Sequence, residues 1–259
     1  MRYIQLFVIT FLLISCGSKL RTDDGKTIRL TGYKTWPDSL ALETYEGGGM
    51  VNASTSVHIG KDSCFIMIAR DGNDNRYTFK LDKTELDQLF RSLLENNIEQ
   101  LDIKKTNDII YDKGTTSLNI ILGNKQVNIA DGASERITEL HQGDFMKIYS
   151  SIQGIAYRKI ADQKQNCCFN FDSSLKLKGK SLSVICMNAD TSFTDSTFLL
   201  KDKICFKLLK GMNNFQIHIT QKGKVNYMDY FASIYPKFNL QRDTSFTLKI
   251  KNDTLLILE

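Results

Sequence analysis

The stretch RYTFKLDKTELDQLFRSLLENNI, residues 76–98, carries two periodicities one after the other. Through residue 81 polar and apolar side chains alternate, as a strand with one buried face requires. At Asp82 the pattern changes. Asp82 is placed to cap a helix, and Glu85, three residues on, can reach back to the cap amide. Leu86, Leu89, Phe90, Leu93, Leu94 and Ile98 then recur at steps of three and four, giving one apolar stripe. A strand running directly into a capped amphipathic helix makes the surrounding region α+β.

Working outward, residues 57–59 and 64–69 read as strands, and DGNDN at residues 71–75 as the turn into the next strand. Residues 117–122 and 125–130 form a hairpin around Gly123-Asn124. A second helix is expected from Ser134, with Ile137, Leu140, Phe145, Ile148 and Ile152 on one face and Gly143 interrupting it. Gly47-Gly48-Gly49 marks a tight or bulged stretch. The expectation is an antiparallel sheet with two helices on one face, spanning residues 33–160. Residues 160–166 read as a polar junction.

After the junction the helical period vanishes. Residues 169–177, 181–187, 193–200, 204–209, 215–220, 225–231, 246–250 and 255–258 are short and mostly alternating, with Lys251-Asn252-Asp253 turning the last hairpin. Regular short strands of this kind predict an all-β sandwich over residues 161–259. Lysines such as those at 176, 178 and 249 take the solvent face.

Composition supports folded cores: 42% of residues are hydrophobic and 10% aromatic. The formal charge of +5 is spread along the chain, without the concentrated basic face that nucleic-acid binding needs.

The N-terminus carries the most specific motif. Met1-Arg2 is followed by an apolar run to Ile14, interrupted by Gln5 and Thr10. A membrane-spanning helix needs about 20 apolar residues, so this run fits a secretory signal instead. Leu13-Ile14-Ser15-Cys16 resembles the lipobox of bacterial lipoproteins of the Bacteroidota kind: an aliphatic residue, a tolerant position, a small residue, then cysteine. The resemblance implies cleavage between Ser15 and Cys16 and acylation of Cys16 by palmitate-type chains. Each buried methylene contributes about 0.8 kcal/mol, and two or more chains make attachment stable. Residues 1–15 are then the signal peptide and 16–32 a lipidated tether. Gly17, rather than Asp, after the cysteine favours the outer membrane. The late Asp23-Asp24, behind Lys19 and Arg21, does not indicate surface display.

Two further resemblances concern the folded parts. Gly47 to Gly49, a hairpin, and a helix opening leucine-x-x-x-glutamate-leucine (Leu81 to Leu86) resemble small α+β modules of bacterial export proteins. Emfourin-like inhibitors of thermolysin-like metalloproteases share that outline over about residues 40–155, although the segment after the glycines departs from their small-aromatic one. The resemblance implies protease inhibition as an alternative function and transfers no functional residue. The second half, with Leu208-Leu209-Lys210-Gly211 leading to Phe215-Gln216-Ile217, is similar to prealbumin-like sandwiches, which are accessory or binding modules.

With Cys16 assigned to lipid, Cys64, Cys167, Cys168, Cys186 and Cys205 remain. A disulfide between Cys186 and Cys205 and buried free thiols are both open readings. Asp71, Asn73 and Asn75 imitate the start of a calcium loop, but Arg76 and Asp82 stand where glycine and a bidentate Glu belong, and a hairpin turn is favoured. His58 and Cys64 have the residue types of a base and a nucleophile. On one strand they would lie about 20 Å apart, and no orienting group is evident. A turn at residues 60–63 would shorten that distance. His58, His141 and His218 are read as structural. No metalloprotease, nucleophile-elbow, P-loop or dinucleotide motif occurs, and no catalytic, cofactor-binding or metal-binding residue is assigned. The expected function is a membrane-anchored, non-catalytic binding or scaffolding protein of the cell envelope. It would hold the bilayer through acylated Cys16 and engage another envelope protein or ligand, with no nucleic acid. A tethered protease inhibitor and an envelope hydrolase lacking a recognisable motif are the alternatives.

Overall fold

The computed structural model describes residues 20, 28–48, 53–70, 73–105, 113–172, 180–186, 192–195, 203–222, 228–251 and 254–258. The protein is α+β and divides into two compact units between Lys159 and Ile160.

The first unit contains strands β1 (Leu40–Gly48), β2 (Ala53–Gly60), β3 (Cys64–Arg70) and β4 (Asn73–Phe79), then helix α1 (Lys83–Glu95). After these come β5 (Ile103–Lys105), β6 (Gly114–Leu122), β7 (Lys125–Asp131), β8 (Glu135–Ile137) and α2 (Glu139–Lys159). Six strands make one antiparallel sheet in the order β4-β3-β2-β1-β6-β7, and β5 pairs separately with β8. Alternation decides the two faces of the sheet. Leu40, Leu42, Val57, Ile59, Ile66, Leu118, Ile120 and Ile129 are buried on one face, while Glu43, His58, Phe65 and Asn119 between them take the other.

Helix α2 packs on the buried face. There Gln153 Nε2 donates to Thr44 Oγ1 (3.1 Å), and the Tyr149 hydroxyl donates to Glu46 Oε2 (2.9 Å). Burial and the Glu46 carboxylate both push the Tyr149 phenol up from its ordinary pKa. Helix α1 begins with the expected capping box: Asp82 Oδ1 accepts from the Glu85 amide (2.9 Å) and Glu85 Oε2 from the Asp82 amide (3.0 Å). Glu85 also pairs with Lys159 Nζ at 2.6 Å, tying α1 to the end of α2. The helix stops at Glu95, and Asn97 (φ 52°) leaves it in the left-handed region that Asn tolerates. Ile98 is therefore buried from a separate 3-10 turn, not from the α1 stripe.

Four expectations are corrected in this unit. β1, which the sequence reading passed over, is a central strand of the sheet. The second helix starts at Glu139, because residues 135–137 are used as strand β8, and Leu140 is 83% exposed rather than on the apolar face. The expected tether is partly fold: Leu20, Ile28 and Leu30 are buried, and the Leu20 amide donates to the Glu99 carbonyl (3.2 Å). The Glu99 carboxylate accepts from the amides of Leu30 and Thr31, and the Ile28 amide donates to the Leu20 carbonyl (3.0 Å), so backbone and side-chain bonds together hold this polar-looking stretch. The junction residue Ile160 is buried, and Lys164 already opens the next strand.

The second unit is built from β9 (Lys164–Phe171), β10 (Lys180–Cys186), β11 (Ser192–Asp195), β12 (Lys203–Leu209) and β13 (Gly211–Lys222). It continues with β14 (Met228–Ile234), β15 (Lys237–Leu240), β16 (Thr244–Lys251) and β17 (Thr254–Leu258). One sheet runs β11-β10-β13-β14 with β15 also on β13; the other runs β12-β9-β16-β17. The pairing of β9 with β16 is parallel, and the Asp243 carboxylate pins its start by accepting from Asn166 N and Nδ2 (2.8 and 3.0 Å). Both sheets contribute to one core. The Phe169 ring meets Phe206 and Phe246 from its own sheet and Phe215 and Phe238 from the other, with centroids 5.2 to 6.4 Å away.

The cysteines pair differently from the reading above. Cys168 and Cys205 stand directly opposite each other on β9 and β12 and form a disulfide. Cys186 lies instead in the core cluster with Cys167. Cys64, Cys167 and Cys186 are buried thiols outside the disulfide.

Candidate functional site on the open sheet face

Ser15, Cys16, Gly17 and Asp23-Asp24, which carry the lipoprotein reading, lie outside the described residues. So do Gly49, Asp71 and residues 173–179. Asn73 and Asn75 are strand residues of β4, and β3 and β4 close a hairpin with Arg70 opposite Asn73, so the calcium-loop imitation ends there. Among the described residues no group of three acidic, His or Cys side chains could hold a metal ion. No described helix is long and apolar enough to cross a membrane.

The geometry converges elsewhere, on the sheet face away from α2. Register places Glu43, His58, Phe65 and Thr78 side by side across β1, β2, β3 and β4, with Asn119 of β6 next to Glu43. One row along, Tyr45, Ser56, Met67 and Arg76 repeat the arrangement. These side chains are in contact. The Arg76 guanidinium lies 3.9 Å from the Phe65 ring centroid, and Phe65 stacks on His58 at 5.0 Å and 12°. His58 Nδ1 lies 3.1 Å from Glu43 Oε1, and Glu43 Oε2 accepts from Asn119 Nδ2 at 2.9 Å.

The chain of contacts ends on Ser63. The β2–β3 hairpin turns through Lys61-Asp62, closed by the Gly60 amide donating to the Ser63 carbonyl at 2.9 Å. Residues 58, 60 and 63 therefore share one face, and Ser63 Oγ comes 3.2 Å from His58 Nε2. A carboxylate only accepts, so in the neutral imidazole Nδ1 carries the proton toward Glu43 and Nε2 accepts from the Ser63 hydroxyl. Gly60 matters here. A Cβ at that position would stand 3.3 Å from His58 Nε2 and 3.8 Å from Ser63 Oγ. Nearby, Gly47 accommodates the Tyr45 ring, whose hydroxyl would lie 2.6 Å from a Cβ there.

Of the residues singled out from sequence, His58 thus has an orienting acid after all. Cys64 is not its partner: it points to the opposite, buried face, its Sγ donates to the Gly60 carbonyl at 3.4 Å, and burial raises its pKa. His141 lies in the first turn of α2. His218 is buried in β13 against Ser233 Oγ (2.9 Å), and burial lowers its pKa. A concavity of about 260 Å³ lies between α1 and α2, lined by Leu89 and Ile155 together with polar residues that include Glu85, Ser92, Arg158 and Lys159. There Glu85 and Lys159 are already committed to the helix cap and to each other.

The chain matches no protein-family model and no curated protein.

Proposed function

We propose that this chain is a lipid-anchored cell-envelope protein, acylated at Cys16, that binds or scaffolds another envelope protein or ligand through the open face of its six-stranded sheet. The observation that carries the reading is the face: Tyr45 (41% exposed) and Met67 (37% exposed) stand beside Phe65 and Arg76 in two ordered rows. Tyr, Phe, Met and Arg are the types enriched where proteins meet, and side chains already held by neighbours lose little freedom on binding. The second unit, with two sheets around one phenylalanine-rich core, fits a sandwich-type accessory module. The lipobox-like tetrad supports the anchor, with the outer membrane favoured by Gly17.

Two measurements test this reading. Cys16→Ala abolishes fatty-acid labelling and releases or mis-processes the protein; retained labelling and membrane attachment sink the anchor. A photocrosslinking residue at position 45 or 67 yields a discrete adduct in intact envelopes, whereas one at Tyr157, 46% exposed on α2, does not. Equal crosslinking at all three positions, or none at 45 and 67, removes the face from the proposal.

A further inference from the structure

The same face holds an arrangement that binding does not require. We propose that Ser63 is an acyl-accepting nucleophile, with His58 as its general base and Glu43 as the positioning acid, acting on small carboxylic esters with good leaving groups. The proposal goes beyond the binding reading and does not depend on it.

Four observations carry it. Ser63 Oγ, His58 Nε2, His58 Nδ1 and Glu43 Oε1 form a continuous relay at 3.2 and 3.1 Å. The relay is held from outside: Asn119 fixes the other Glu43 oxygen, and the Phe65 ring lies flat on the imidazole. Gly60 is buried beneath the pair, and a Cβ there would stand 3.3 Å from His58 Nε2, close enough to push the ring. Ser63 is exposed at a hairpin tip, so an ester carbonyl reaches it without displacing protein. Triads are recognised by such geometry and roles, whatever the fold.

The chemistry is balanced as follows. Ser63 Oγ adds to the ester carbonyl carbon while His58 Nε2 takes the hydroxyl proton. The tetrahedral adduct collapses, the bond to the leaving oxygen breaks, and His58 returns the proton to the departing alcohol. Water then adds to the acyl-serine with His58 again taking a proton; Ser63 leaves with that proton, and a carboxylic acid is released. Substrate class follows from what the turn withholds. The Gly60 amide is bonded to the Ser63 carbonyl and is not offered to an oxyanion. Losing one oxyanion donor costs about 10²–10³ in rate, so esters whose leaving groups need little help are the ones turned over.

The test uses the purified full chain with a fluorophosphonate probe and p-nitrophenyl acetate, reading adducts by peptide mass spectrometry. The expected result is a single adduct on Ser63, absent in Ser63→Ala. It forms about 100-fold more slowly in His58→Gln, since general-base help is typically worth at least that much. Glu43→Gln slows it less, with an unchanged melting temperature, and Gly60→Ala also slows it. Adducts spread over exposed serines, or a Ser63 adduct indifferent to His58→Gln, overturn the proposal. Neither outcome bears on crosslinking at positions 45 and 67, so the two readings fail separately.

Discussion

His58 and His218 sit in comparable places, each in a strand with a serine hydroxyl on a ring nitrogen at 3.2 and 2.9 Å. Their surroundings differ. His58 belongs to a single sheet that α2 covers on one side only, and Glu43 reaches its second nitrogen across the neighbouring strand. His218 is 8% exposed on the outer face of its sheet, alternating with the core residues Ile217 and Ile219, with Tyr235 edge-on at 5.5 Å. The same pair of residue types thus becomes a relay beside Glu43 and a packed element beside Tyr235. The neighbours of the ring, more than the His–Ser pair itself, separate the two.

The largest expected effect tests how closed the second unit is. Phe169→Ala removes the ring that joins both sheets and costs about 3–5 kcal/mol. Hydrogen exchange of the full chain, resolved by peptide, then accelerates throughout β9 to β17. Phe65→Ala on the open face changes exchange far less, and equal losses would break the comparison. Next in size is the staple. Replacing Cys168 and Cys205 together by Ala removes a cross-link of sequence separation 37 and costs about 2–4 kcal/mol, again read in the second unit's peptides. No loss would mean that the pairing adds nothing to the closed sheets.

The smallest effect is in pH. Burial lowers the His218 pKa below its ordinary 6.5 in the folded state. The unfolded chain then binds the proton first, so stability from this group is complete above 6.5 and falls as pH drops through that value toward the folded pKa. Glu85 and Asp243, whose pKa values are lowered by their hydrogen-bond partners, lose their contribution only in stronger acid. His218→Gln therefore flattens the urea midpoint just below pH 6.5, while His58→Gln leaves that fall in place. A parallel fall in the His218→Gln variant would assign it to another group.

Local chemistry was legible in the sequence and cross-strand chemistry was not. The capping box at Asp82 and Glu85, the α1 stripe, and the hairpin through Gly123 (φ 61°) all depend on residues a few positions apart. So does the last hairpin of β16 and β17. The Cys168–Cys205 pairing, the parallel β9–β16 pair and the Glu43–His58 contact join residues whose neighbourhood is set by register. Ser63 was the nearest to being found. A two-residue turn after Gly60 brings positions 58 and 63 to one face, a relation that spacing along the chain shows only once the turn length is known. Glu43 gives no signal, because the LALETYEGG pattern of β1 loses its alternation after Thr44 and ends in glycines.

Glu99 clamps both Leu20 and Leu30, and this sets the reach of the anchor proposed at Cys16. With Cys16 acylated, as proposed, an undocked stretch up to Tyr33 would be a leash of roughly 60 Å at full extension. Docking at Leu20 leaves four residue steps, about 14 Å. The first unit then cannot patrol the surrounding aqueous space. On that proposal Leu20 stays within about half the thickness of the bilayer's hydrocarbon core of the acylated residue, and the first unit works beside the membrane that holds it.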